Sequence, residues 1–389
     1  MKKTVQSTTT PSIESQEMPK PSRRAELWHL LKMNRFAFMG LFIFILFFCV
    51  AFLGLILTAG TTPLFDPAMV RLQEKLRPPL SLPETELLSP DQRPPLGIYL
   101  LGTDDLGRDV FARMLQGAWV SLTVGFVAVG IAVIIGLLLG GLAGYCGHYH
   151  LRLDHLFSAA ALLAGIAMLA IKTPLMGSAL LLLGSGYLFY SLRGGASVTK
   201  NPAHPWMRLL YTDTISLDTL IMRFVDIMLC FPSFFLILTV VALLPASIYN
   251  IMIVIGLTSW MGTTRFVRAE ILSLREQDFV TAARALGLSS ARIIFRHIIP
   301  NAIAPVLVSA TIGIASAILT EAGLSFLGFG VPPPHATWGN ILADGKRFIF
   351  DAPWLTFIPG SAILIVVLSF NLFGEGLRDI LNPRLRERY

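Results

Sequence analysis

Six stretches of this chain, 37–58, 119–145, 220–244, 248–264, 302–329 and 357–373, are apolar over seventeen residues or more and carry few or no charges. A helix rises about 1.5 Å per residue, so about 20 apolar residues match the ~30 Å hydrocarbon core of a bilayer. Backbone groups in lipid must be satisfied internally, which leaves helices and closed barrels as the spanning structures. Runs of this length read as helices and imply an all-α polytopic membrane protein. Composition agrees: 54% of residues are hydrophobic and only 14% charged, whereas soluble domains carry about 25% charge. A charge at mid-bilayer costs roughly 2.5–3.5 kcal/mol, so the missing charge is explained by an outer surface that faces lipid.

The first run exceeds the ~7–15 residues of a signal-peptide core and lacks a small-residue cleavage site, so it reads as an uncleaved span after a basic, disordered tail at 1–36. Two shorter runs, 157–171 and 175–192, flank Lys172, Thr173 and Pro174. They predict a helical hairpin that either crosses the membrane twice or lies at its surface, giving eight spans or six. Orientation follows from Lys and Arg. The tail holds seven, the stretch after the fourth run holds Arg265, Arg268, Arg275, Arg284, Arg292 and Arg296, and the C-terminus holds Arg378, Arg384, Arg386 and Arg388. Six spans place all three on the cytoplasmic face of the inner (plasma) membrane, with both termini inside. Segments 59–118 and 331–356 then face outward.

The net charge of +7 is spread between apolar runs rather than gathered on a face with interleaved aromatics, so membrane lipid, and no nucleic acid, is the expected partner of these basic residues. Cys49, Cys146 and Cys230 have no CxxC spacing, and the seven histidines show no ligand spacing. No cofactor or metal is expected. No G-x-x-x-x-G-K-[ST] run occurs, so nucleotide hydrolysis would have to come from another chain and this one is not expected to be an enzyme.

The most informative polar stretch is 277–301. Asp278 can cap a short helix that ends at Leu286, Gly287 stands where a positive φ is wanted, and Ser289 or Ser290 can cap the next helix. Phe279, Ala283 and Leu286 fall at i, i+4 and i+7 as one apolar stripe, which suits either a partner's groove or lipid headgroups. Pro300 and Pro305 permit a bend at the foot of the fifth run. Arg223 and Asp226, at i and i+3, can form a structural ion pair or contact a substrate. Glu321 lies within the fifth run near its outward end, where it is a pathway candidate or a hydrated carboxylate at the mouth. Thr103 can cap a helix whose first turn carries Asp104 and Asp105.

The same stretch resembles the EAA loop of ABC-importer permeases, whose pattern is E-A-A, three residues, Gly, nine residues, I-x-L-P. Ala282, Ala283, Gly287 and Pro300 match, while Thr281 replaces the Glu, His297 the first Ile and Ile299 the Leu. Residues 101–113 resemble the G-T-D-x-L-G-R-D segment of the dipeptide/oligopeptide/nickel subfamily. Further likeness lies in Arg223-x-x-Asp226 leading to Phe231-Pro232-Ser233, in 324–330, in Trp338-Gly339-Asn340, in 376–379 and in Asn382-Pro383-Arg384. The resemblance covers roughly 25–147 and 216–386 and points to the C-type subunit, with 148–215 as an insertion. It implies a six-span type I permease core over 119–386, a homologous second permease subunit, two P-loop ATPase subunits and an extracytoplasmic substrate-binding protein. By the resemblance the loop, with Phe279, Thr281, Ala282, Ala283, Leu286, Gly287 and Pro300, couples ATP hydrolysis to peptide transport. A gradient-driven secondary transporter or channel is the competing class.

Overall fold

A computed structural model describes residues 31–381 except 85, 87, 148–149, 153–157, 159–160, 163, 166–167, 170–173 and 194–212. The expected tail before residue 31, the turn residues Lys172 and Thr173, and the terminal Asn382-Pro383-Arg384 motif lie outside the described residues.

The architecture is the expected all-α polytopic one. Asn34 accepts from the Ala37 amide at 3.1 Å and caps α1 (Arg35–Thr58). Asp109 accepts from the Phe111 amide at 2.9 Å and opens the 37-residue α2 (Val110–Cys146). Thr103 is therefore not the cap that its spacing suggested. Gly107, at φ +73°, turns the chain before any helix can form, and the cap falls to the next acid. The remaining long elements are α3 (Pro174–Arg193), α4 (Leu217–Leu229), α5 (Ser233–Leu243), α6 (Ile248–Arg275), the short α7 (Asp278–Ala285), α8 (Ser290–Phe326), α9 (Trp338–Gly345) and α10 (Trp354–Leu381).

Among the described residues, four helices, α1, α2, α8 and α10, are long and apolar enough to cross a membrane, α4 with α5 makes a fifth if the pair is one span, and Ser178–Tyr187 within α3 is a shorter apolar stretch. That pair corrects the continuous helix read over 220–244: the two halves meet at 79°. Pro232 sits at the break, where it has no N–H to donate and disfavours helix at Phe231 before it. The fourth run lies in α6, whose 28 residues reach about 42 Å but carry more polar groups. Those groups are satisfied locally: buried Thr258 donates to the Val254 carbonyl at 2.7 Å and buried Thr264 to that of Trp260 at 3.0 Å.

Close helix contact explains why α6 tolerates this polarity. Gly136, Gly140 and Gly144 recur every four residues along α2, and a Cβ on them would come within 2.6 Å of Thr263, 2.7 Å of the Thr264 carbonyl and 3.0 Å of Ile271. Helices in lipid gain little from hydrophobic exclusion of one another, so small residues that let backbones approach supply the association. The central packing joins α1, α2, α5, α6, α8, α9 and α10 around Val124, Ile255, Ile318, Trp338 and Phe370.

The bundle has two unlike ends. At one, the start of α1 meets the end of α10 through Ala37, Gly376 and Ile380, and α7 packs beside Tyr145 at the end of α2. The other is a cap built from 59–109 and α9. At the α7 end the chain after α2 and the chain before α4 pair as a two-stranded antiparallel ribbon. β1 (His150–Arg152) pairs with β2 (Asp213–Ser216) there, with a bulge between Leu151 and Arg152.

Candidate functional site

At the α7 end the chain leaves α6 at Arg275, makes two turns of α7 and bends back into α8. Gln277 occupies the N-cap position, so Asp278 is not the cap but the first helical residue, where its charge favours the helix N-terminus. The C-terminus closes as a Schellman motif. The Gly287 amide donates to the Arg284 carbonyl at 2.9 Å and the Leu288 amide to that of Ala283 at 3.2 Å, with Gly287 at φ +74°. Ser289 stands at the next N-cap without a side-chain cap bond.

The expected stripe of Phe279, Ala283 and Leu286 is split. Val280 and Ala283 are buried against Ile271, Leu274, Ile293 and Ile298, with Phe279 and Leu288 packed partly behind them. Thr281, Ala282 and Ala285 face outward, as do Leu286 at 79% and Phe295 at 69% exposure. The Arg284 guanidinium lies 5.7 Å from the Tyr145 ring centroid and ties the arm to α2.

Pro300 sits in the first turn of the regular part of α8 and is exposed. Having no N–H and a ring that crowds the preceding turn, it follows a π-turn over Ile294–Ile298, closed by the Ile299 amide on the Ile294 carbonyl. The bend expected there is thus a widened turn.

Arg223 and Asp226 do meet, at 3.5 Å, but a closer partner comes from α6: Arg265 reaches Asp226 at 2.5 Å. Arg268 also forks onto both oxygens of Asp218 at 2.5 Å. These two cross-helix pairs, absent from the sequence reading, pin α4 to α6. Residues 39 and 50 positions apart leave no local pattern that could have revealed them.

Glu321 is not hydrated at a mouth. Its exposure is 0%, and its carboxylate accepts from Ser325 Oγ at 2.6 Å and from Ser121 Oγ at 3.4 Å. Ser121 in turn accepts from the Trp338 amide at 3.4 Å, and the Thr337 hydroxyl lies 3.5 Å from Ser325. The acid therefore joins α2, α8 and α9 at the underside of the cap.

The cap itself is cross-linked around Asp104. One oxygen accepts from the Leu106 and Arg108 amides at 2.9 Å each. The other accepts from Arg108 Nε at 2.7 Å and from Arg113 at 2.5 Å. Asp344 of α9 pairs with Arg108 Nη2 at 3.1 Å and with the same Arg113 Nη1 at 2.9 Å, while Arg113 Nη2 donates to Asn340 Oδ1 at 3.3 Å. Thr103 donates to the Glu74 carbonyl at 2.5 Å and accepts from the Arg77 amide at 2.8 Å. Arg108, Arg113 and Asp344 line a cavity of about 450 Å³ together with Pro332, His335 and Asn340. Burial, then the charges of Asp104 and Asp344, push the Asp105 carboxyl above the ordinary carboxylate range. Burial does the same at Asp109, and raises the Tyr99 phenol to about 12.

A bundle of apolar spans, with a bent polar arm at one end and a cross-linked cap at the other, defines a polytopic helical membrane protein. Residues 215–387 match the family described as binding-protein-dependent transport system inner membrane component. The dipeptide transport system permease protein DppC of Alkalihalophilus pseudofirmus is 34% identical over 361 residues, 93% of this chain and 90% of that protein. The oligopeptide transport system permease protein OppC of Bacillus subtilis is 32% identical over 303 residues, 78% and 77% of the two chains. The di/tripeptide transport system permease protein DppC of Pseudomonas aeruginosa is 33% identical over 367 residues, 94% of each. The chain belongs to this family of transport-system permeases and is a multi-pass protein of the inner membrane.

Proposed function

We propose that this chain is the C-type permease subunit of an ATP-driven importer that carries peptides across the inner membrane. The names of the relatives support the cargo class. The observation that carries the coupling is the Schellman bend at Gly287, which presents Thr281, Ala282, Leu286 and Phe295 to solvent while Val280 and Ala283 anchor the arm on α6 and α8. An outward apolar patch on a short anchored helix suits the groove of a cytoplasmic P-loop ATPase.

In this reading two ATPase subunits bind this chain and a homologous second permease subunit, and an extracytoplasmic substrate-binding protein delivers peptide to the cap. The chain itself is no enzyme and needs no cofactor. Both termini are cytoplasmic, on the side of α7. ATP must favour one state of the permease pair by about 5.5 kcal/mol to carry it from 1:99 to 99:1, and the arm is the mechanical path for that energy.

The test is peptide uptake by the reconstituted complex. Accumulation should require ATP and the partner hydrolase, and the hydrolase should copurify with the permease. Uptake by the chain alone, driven by an ion gradient, would identify a secondary transporter instead.

A further inference from the structure

The described residues of 148–215 enter neither the arm nor the cap, yet they include a strongly exposed apolar helix. Helix α3 has no charged residue from Pro174 to Leu192. Leu175 is 86% and Leu182 74% exposed, and Met176, Leu183 and Phe189 are exposed beside them. At 100° per residue these five side chains cover an arc of roughly 140°, wider than the ~100° stripe by which a helix docks on a core. Opposite this arc, Gly184 faces the other arm: a Cβ there would meet Leu162 at 3.0 Å and the Ser158 carbonyl at 3.2 Å. The hairpin thus closes on itself through a small residue and turns its large apolar side chains outward.

We infer that lipid acyl chains cover that outward face, and that the hairpin crosses the bilayer as two additional spans. Two observations select lipid over a protein groove, and a third sets the number of crossings. First, the 20 residues of α3 measure about 30 Å, the thickness of the hydrocarbon core. Second, the basic residues Lys172 and Arg193 bracket the apolar stretch in the sequence, where interfacial anchors belong. Third, the β1–β2 ribbon returns the chain to the end of the bundle it left, so a crossing by α3 has to be matched by a second one in the segment before it. The insertion is therefore a membrane anchor rooted beside α7, and this holds whatever solute is carried.

Accessibility to a membrane-impermeant maleimide tests it on the full chain in membranes stripped of the hydrolase, so that Leu286 is uncovered, in a background where Cys49, Cys146 and Cys230 are replaced. Leu286→Cys reports the α7 face of the membrane. Leu182→Cys and Leu183→Cys should stay unlabelled in intact membranes and label fully in denaturant, while Leu175→Cys should label only from the face opposite Leu286→Cys. Labelling of Leu182→Cys as fast as Leu286→Cys would put the hairpin in water. Labelling of Leu175→Cys from the same face as Leu286→Cys would make it a dip rather than a crossing. Efficient disulfide capture of another subunit by Leu182→Cys would make the cover protein. Any of the three overturns the inference.

Discussion

The cap and the α7 arm are held by opposite means. In the cap, Asp104, Arg113 and Glu321 are buried and every link is directional, from the arginine forks on Asp104 and Asp344 to the hydroxyls on Glu321. The arm hangs on two buried apolar side chains, Val280 and Ala283, a Schellman closure and one ring contact. Directional networks in low dielectric fix one geometry, whereas a short apolar anchor tolerates tilting. The contrast suits the proposed function, in which the cap would stay in register for a docking partner while the arm would follow another protein's motion.

The sharpest break of this contrast is Gly287→Val. A Cβ at Gly287 meets nothing within 4 Å, so the cost is backbone strain alone, roughly 1–3 kcal/mol for a non-glycine residue held at φ > 0. Peptide uptake should vanish while membrane insertion remains normal, and Gly287→Asn, which tolerates that region, should retain transport. Next is Arg113→Met in the cap, which strips a buried carboxylate of one partner and should cost about 3 kcal/mol, read as a lowered Tm in detergent. Uptake by the folded fraction would sharpen the rigid-cap view.

Arg268→Ala removes the fork on Asp218 at a half-buried site and should cost about 1 kcal/mol by denaturant titration. The smallest effect is expected at Asp105. Its raised carboxyl means that the folded state binds this proton more readily than the unfolded chain, so wild-type stability gains as pH falls through the folded value toward the unfolded one. Asp105→Asn should raise Tm slightly at neutral pH, with the difference fading on acidification. A lower Tm at neutral pH would show that the carboxylate is used in its charged form.

Much of this was readable in the residues. The apolar runs located the spans, and Gly287 located the bend, because only a residue free of Cβ strain closes a Schellman motif cheaply. Four features escaped for identifiable reasons. Within α7, apolar residues at 279, 280, 282, 283, 285 and 286 support two overlapping stripes, and periodicity over two turns cannot choose the buried one. At 103–109 the capping pattern was satisfied twice, and the turn at Gly107 decided for Asp109. The break at Pro232 was written in the sequence, but the hydrophobicity on both sides concealed it. The Arg265–Asp226 and Arg113–Asp344 pairs are tertiary, and no local spacing encodes them.

The claim that α7 seats in a nucleotide hydrolase is tested most directly by the amount of that hydrolase retained on the purified Leu286→Asp permease. An ionised carboxylate forced into an apolar groove should reduce retention at least tenfold, about 1.4 kcal/mol in binding, with the permease itself inserted and folded. Retention equal to wild type would show that the exposed tip of the arm makes no contact with the hydrolase, and the coupling account would fail.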